Sequence, residues 1–263
     1  MSRFQSLFAG QLLTLAASTP SQTLLEKAVG LVEDAFGESP ESLDAETFRS
    51  ALSRSRERFA GQDFSVLALS CLAVQGFELE GLMLDTVRFR AVSPGLEKIE
   101  AAAPVFYCHR DTWYGNPNCQ VNAWMPLHDV GPNNSFRFYT DYFHRPIKND
   151  SHLFLAADFE NQGGFGRVSA QGSDSHYPRA LEIPGAPVRE VEMAAGEMLF
   201  FSAAHLHQTS VNLTDRPRFS LDFRFFRRGH LENGVGAPDP DNHSRGLSLS
   251  SFRPAEVLHR AEV

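Results

Sequence analysis

"PRFSLDFRFF", residues 217–226, alternates without a break: Phe219, Leu221, Phe223 and Phe225 fall on one side of an extended chain and Arg218, Ser220, Asp222 and Arg224 on the other. A period of two held over this length predicts a strand with one apolar and one polar face. "CQVNAWMP", residues 119–126, repeats the pattern, with Val121, Ala123 and Met125 set against Gln120, Asn122 and Trp124. "VREVEMAAGEMLFFSAAHLH", residues 188–207, reads as an alternating strand, a turn at 194–197, and a second strand ending in His205 and His207. Apolar outer faces covered by helices around a polar interior make a small barrel that can hold a ligand. On periodicity alone the alternative is an antiparallel sheet whose polar face meets water.

Upstream the texture is helical. "TLLEKAVGLVEDAF" (23–36) places Leu24, Ala28, Leu31 and Phe36 near helical spacing, and "SLDAETFRSALSRSRERFA" (42–60) opens on a Ser-x-x-Ala-Glu type entry and closes on basic residues. In the opening stretch, Phe4, Leu7, Leu12 and Leu15 read as one face of a helix; Gln5 and Gln11 interrupt what would otherwise pass for a secretory leader. The chain of 263 residues is therefore expected to form one domain (1–263): a helical preface over 1–75, a β core over 84–227, and a Gly-, Pro-, Asp-, Asn- and Ser-rich tail over 228–263 that folds over the barrel mouth as a lid.

Composition narrows the partners. A formal net charge of -8, with no block of lysines or arginines, offers little to a phosphate backbone or an anionic membrane, and no apolar run reaches the ~18 residues of a membrane span. That leaves a small molecule. The three cysteines, Cys71, Cys108 and Cys119, form no CxxC pair, which points to a reducing cytoplasm rather than a disulfide framework.

"FYCHRDTWYGNP", residues 106–117, places His109 and Asp111 two apart at the entry to the 119–126 strand, so both side chains face one way. Two histidines and one carboxylate on one face of a metal, with three positions left open, is the ligand set of mononuclear iron(II) oxygenases. The pair alone is a weak signal; His230-x-Glu232 has the same form. A second histidine followed by a basic residue occurs in "HLHQTSVNLTDRPRFS" (205–220), with His205 or His207 ahead of Arg218-x-Ser220. A guanidinium fork matches the far carboxylate of 2-oxoglutarate, and a hydroxyl two residues on faces the same way. His230-x-Glu232 lies beyond that arginine and does not fit the order. Spacing does not choose between His205 and His207.

"CHRDTWYGNPNCQVNAWMPLHD" (108–129), "DYFHRPIKNDS" (141–151) and "HLHQTSVNLTDRPRFSLDFRF" (205–225) together resemble the iron(II)/2-oxoglutarate dioxygenases of the phytanoyl-CoA-dioxygenase-like superfamily. In style they are most similar to its streptomycin-biosynthesis-type group, related to amino-acid halogenases and hydroxylases and to Kdo-sugar hydroxylases. The resemblance spans about 84–227. It implies a mainly β fold with flanking α, a double-stranded β-helix (jelly-roll, cupin-like) core behind N-terminal helices, with iron(II), 2-oxoglutarate and dioxygen as reactants. It also implies His207 as the distal ligand, because the superfamily places that histidine five residues before an asparagine, here Asn212. Related halogenases carry a small residue where Asp111 stands, so the resemblance implies hydroxylation or another oxidation, not halogenation.

Expected metal ligands and catalytic residues are therefore His109, Asp111 and His207; Arg218, Ser220, Gln120 and Asn122 are expected around the cosubstrate, and Trp113, Tyr114 and Arg224 around the substrate. Trp113 and Tyr114 read equally as core aromatics, and Arg224 as a partner of Asp222. Cys108 and Arg110 alternate away from the metal side and read as structural; His128, His144, His152 and His176 read as loop residues. The inner face suits a small polar metabolite, an amino acid or amino-acid derivative in specialised biosynthesis, with a sugar or aminocyclitol as the alternative. A non-catalytic cupin-like binding protein and a zinc hydrolase are the competing readings of the same residues.

Overall fold

A computed structural model of the chain describes residues 2–161, 176–185 and 188–259; the last residues of the expected tail, 260–263, lie outside that range. Its first part is helical: α1 (Arg3–Phe8), α2 (Thr19–Phe36), α3 (Ala45–Phe59) and α4 (Gln62–Val74). The Ser18 side chain caps α2 and accepts from Ser21 N–H, and the face Leu24, Ala28, Val32, Phe36 is buried at helical spacing. In α3 the cap is Asp44, which accepts from the N–H groups of Glu46 and Thr47, two residues after the Ser42 entry expected from sequence. Among the described residues, α4 is buried nearly all round.

One upstream reading changes. Leu12 and Leu15 do not continue the first helix: Leu13–Leu15 is a strand, β1. Gly10 adopts φ +88°, a left-handed conformation that ends the helix, and a Cβ there would lie 2.7 Å from the Phe143 ring.

The core is two antiparallel sheets. The larger, seven-stranded, runs β1, β7 (Met198–Ser202), β4 (Val121–Pro126), β9 (Arg218–Arg227), β2 (Leu82–Leu84) and β10 (Arg253–Pro254), with β3 (Arg88–Val92) also pairing with β9. The smaller has the order β6 (Arg189–Glu190), β5 (Phe136–Phe138), β8 (His207–Thr209). Val121, Ala123, Met125, Phe219, Leu221, Phe223 and Phe225 pack outward in one cluster with the buried faces of α1–α4, as their alternation predicts. Between the sheets, Trp124, Leu199 and Phe201 meet Phe136 and Phe138. This apolar plug fills one side of the interior and leaves the β4–β9–β3 side polar. The architecture is the jelly roll with flanking helices expected from sequence.

The strand expected to end in histidines stops earlier. β7 ends at Ser202, His205 N–H returns to the Ser202 carbonyl, and the chain crosses to the other sheet before β8 begins at His207. Downstream, short α6 (Arg228–Glu232) follows β9, the tail returns as β10 on the sheet edge, and α7 (Ala255–His259) packs on α4. Both described ends of the expected tail thus pack against the scaffold. Among the described residues, no helix is long and apolar enough to cross a membrane.

Candidate active site

His109 and His207 exchange backbone hydrogen bonds, each N–H reaching the other's carbonyl at 2.9 Å. This single bridge ties the His-x-Asp segment to the start of β8 and brings the two imidazole centroids to 4.4 Å. Each ring is aimed in the same way: His109 Nδ1 meets the Tyr107 carbonyl at 2.8 Å and His207 Nδ1 the His205 carbonyl at 3.0 Å. With Nδ1 donating, Nε2 of each ring is left as a lone-pair ligand. Burial pushes His207 down to about 4, so it is neutral and available to a metal at physiological pH.

Asp111 opens a short turn (Asp111–Tyr114) that ends at Gly115 in a left-handed conformation, φ +70°, where a Cβ would meet Ser248 Oγ at 3.0 Å. Asp111 Oδ1 lies 3.5 Å from His109 Nε2, and the ligand atoms of His109, Asp111 and His207 lie within 4.8 Å of one another. Ligands held at about 2.1 Å on one face of an ion stand roughly 3 Å apart, so small side-chain movements accommodate one ion. Burial by itself would raise the Asp111 carboxyl; contact with His109, then the charge that His207 carries once protonated at low pH and the Arg224 charge, outweigh it and hold the group well below the usual carboxylate range. Its second oxygen, Oδ2, accepts from Asn122 Nδ2 at 2.6 Å, and Asn122 Oδ1 accepts from Gln120 Nε2 at 3.0 Å. Asn122, expected beside the cosubstrate, is in place as a hydrogen-bond support of Asp111. Gln120 Oε1 is buried with no partner.

Arg218 and Ser220 share the inner face of β9, with Arg218 Nη1 donating to Ser220 Oγ at 3.0 Å and the guanidinium 5.6 Å over the Trp124 ring. Arg218 is 4% exposed, and its Nε has no hydrogen-bond partner. Burial first, then the neighbouring Arg90 charge, push it down to about 10, which leaves it cationic at neutral pH. A buried guanidinium with an orphaned donor and a hydroxyl beside it fits the carboxylate of a dicarboxylic cosubstrate. The residues present therefore fit both the metal and 2-oxoglutarate.

Other residues fall elsewhere. His205 is buried against Phe138 and Phe143, its Nε2 3.1 Å from the Gly10 carbonyl, outside the ligand cluster. His230 packs on Phe4 and Phe8. His128 Nε2 accepts from Phe219 N–H, and His176 lies 3.1 Å from Asp150. Trp113, expected near substrate, is fully buried and donates its indole N–H to Asp241 at 2.9 Å, so it supports the loop from behind. Tyr114 places its ring against His109, centroids 5.3 Å apart, and donates to the Pro178 carbonyl. Arg224 stands opposite Asn122 in the β4–β9 register, on the ligand side, while Asp222 pairs with Arg90.

Two features escaped the sequence reading. Asp241 accepts from Arg110 Nε and Nη2, Trp113 Nε1 and Ile147 N–H, anchoring the loop that carries Asp111. Arg110 also donates to the carbonyls of Ala204, Tyr142 and Arg145. Arg90 on β3 lines the inner wall. Asp241 lay in a tail without periodicity; Arg90 alternates with Phe89 and Ala91 in a segment too short to stand out.

The family model described as phytanoyl-CoA dioxygenase (PhyH) matches residues 95–220, a stretch that contains His109, Asp111, His207, Arg218 and Ser220. No curated protein matches the chain. Among solved structures, the chain is similar to the apo non-heme monooxygenase ThoJ (14% identity, 85% of this chain and 77% of that one, TM-score 0.49). It is also similar to EvdO2 from Micromonospora carbonacea var. aurantiaca complexed with 2-oxoglutarate (12%, 86% and 90%, 0.47). A third is the epimerase SnoN in complex with Fe3+, alpha ketoglutarate and nogalamycin RO (17%, 95% and 97%, 0.44).

Proposed function

We propose that the chain, whose residues 95–220 match the phytanoyl-CoA dioxygenase family model, is an iron(II)/2-oxoglutarate-dependent oxygenase that hydroxylates a small polar metabolite of specialised biosynthesis, an amino acid or an amino-acid derivative. His109, Asp111 and His207 would hold the iron, and Arg218 with Ser220 the far carboxylate of 2-oxoglutarate. When bound, the iron couples reduction of dioxygen to oxidative decarboxylation of 2-oxoglutarate, so that one oxygen atom enters succinate and the other the substrate, with release of carbon dioxide.

The chain's own residues do the positioning. The carbonyls of Tyr107 and His205 fix both imidazole tautomers, and Asn122 holds one carboxylate oxygen of Asp111 so that the other faces the ion. Arg218 orients the cosubstrate through a charge-assisted contact inside a wall closed to bulk water. The observation that carries the reading is the convergence of two Nε2 atoms and one carboxylate oxygen beside a buried arginine whose Nε has no partner.

The test is anaerobic titration of the iron(II)-loaded protein with 2-oxoglutarate, followed by charge-transfer absorption, and then a succinate-release screen over amino acids, aminocyclitols and acidic sugars with mass spectrometry for a gain of one oxygen. Arg218→Ala should raise the 2-oxoglutarate half-saturation about ten- to a hundredfold with iron retained. Iron affinity unchanged in the His109→Ala, His207→Ala double variant would remove the assignment. Oxygen-dependent formation of succinate separates an oxygenase from a binding protein or a zinc hydrolase.

A further inference from the structure

Arg90 has no task in the oxygenase reading. It stands on β3 directly opposite Ser220 on β9, so its side chain rises from the same inner face as Arg218, Ser220 and Asp222. Asp222 takes two of its five N–H donors, from Nε to Oδ2 at 2.5 Å and from Nη2 to Oδ1 at 3.4 Å. Yet 44% of the side chain remains open to solvent, where Arg218 is 4% exposed. Arg90 is also close enough to Asp111 to feel its charge. One edge of its fork is thus held by Asp222, while the exposed part of the side chain rises from the polar face that carries Arg218 and Ser220.

Arg218 is buried beside the Ser220 hydroxyl, which suits it to the cosubstrate, whereas Arg90 reaches solvent and carries N–H donors beyond the two that Asp222 takes, and a guanidinium edge matches an oxyanion bidentately.

Resting on the oxygenase reading, we propose that the molecule to be oxidised carries an anionic group, a carboxylate or a phosphate, and that Arg90 receives it while Arg218 and Ser220 hold the cosubstrate.

The test uses the full-length protein, anaerobic, loaded with iron(II) and saturated with 2-oxoglutarate. Phenylglyoxal modification is mapped by mass spectrometry in the presence of acetate, inorganic phosphate, acetamide, or chloride at equal ionic strength. Arg90 should react in the 2-oxoglutarate-saturated protein and be protected by acetate or phosphate but not by acetamide or chloride; the better protector identifies the anion. Complete protection by 2-oxoglutarate alone would move Arg90 into the cosubstrate anchor and overturn the proposal, as would a lack of protection by either anion. In parallel, Arg90→Gln should keep the calorimetric affinity for 2-oxoglutarate, while substrates with a carboxylate or phosphate lose about ten- to a hundredfold in half-saturation. A neutral amide turned over as well as its parent acid would also overturn it. Failure of the oxygenase reading itself shows separately, as absent 2-oxoglutarate binding.

Discussion

Asp111 has two carboxylate oxygens, and the fold treats them differently. Oδ1 faces His109 Nε2, whereas Oδ2 is held by Asn122 Nδ2 at 2.6 Å, with Gln120 fixing which way the Asn122 amide points. A carboxylate tied at one oxygen offers the other as a single ligand and leaves more of the ion's face open. Asn122→Ala should therefore weaken metal binding by about ten- to a hundredfold and change the visible spectrum of the cobalt(II)-substituted protein. Asn122→Asp should weaken it further, because two carboxylates then compete for one position. Chelator competition and absorption spectroscopy read both effects; an unchanged affinity and spectrum in Asn122→Ala would leave the hydrogen bond with no part in the site.

At the scale of elements, the helical layer is held mainly by apolar burial and only lightly by charge. Asp63 at the start of α4 receives Arg58 from α3 at 2.9 Å and Lys27 from α2 at 2.7 Å. The Arg58 hydrogen bond, opposed by partial burial, pulls its carboxyl from 3.8 down to about 2. A folded-state value below the unfolded one means that the pair stabilises the fold above about pH 4, and that the contribution disappears as pH falls through about 2. A third of the Asp63 side chain is exposed, so solvent screening limits the effect to under about 1 kcal/mol. Asp63→Asn should lower stability by that amount at pH 7, less in high salt and progressively less as pH falls through about 2. Denaturant melts across pH check this.

For the whole molecule, the decisive link runs between the tail and the loop that carries Asp111. Arg110 and Asp241, 131 residues apart, form a fully buried pair, and Asp241 also accepts from Trp113 and Ile147. Breaking a buried pair from one side strands the other charge, which costs about 3–5 kcal/mol. Asp241→Ala should lower the unfolding free energy by that much and loosen iron binding, although Asp241 touches no ligand. Equilibrium unfolding with metal titration measures both; wild-type stability in the variant would show that the tail is only packed against the loop.

Periodicity and residue type by themselves determine much of this protein. Alternation at 119–126 and 217–226 assigns which side chains face the helices and which face the interior, because side-chain direction in a strand follows parity. Apolar spacing and end signals in the same way place α2 and α3, whereas α4, uncapped by a side chain and buried on most sides, falls only under the general helical texture of 1–75. The tertiary structure decided what parity cannot express. His205 and His207 are equivalent by spacing, and only the crossover after Ser202 turns one into a packed aromatic neighbour and sets the other against His109. Leu13–Leu15 is a strand because β7 offers it an edge. Asn122 supports Asp111, Asp241 anchors Arg110, and Arg90 comes to face Ser220, through contacts between segments far apart in the chain. Local sequence specifies conformation and facing; which faces meet depends on the closing of the two sheets on each other, a property of the assembled chain.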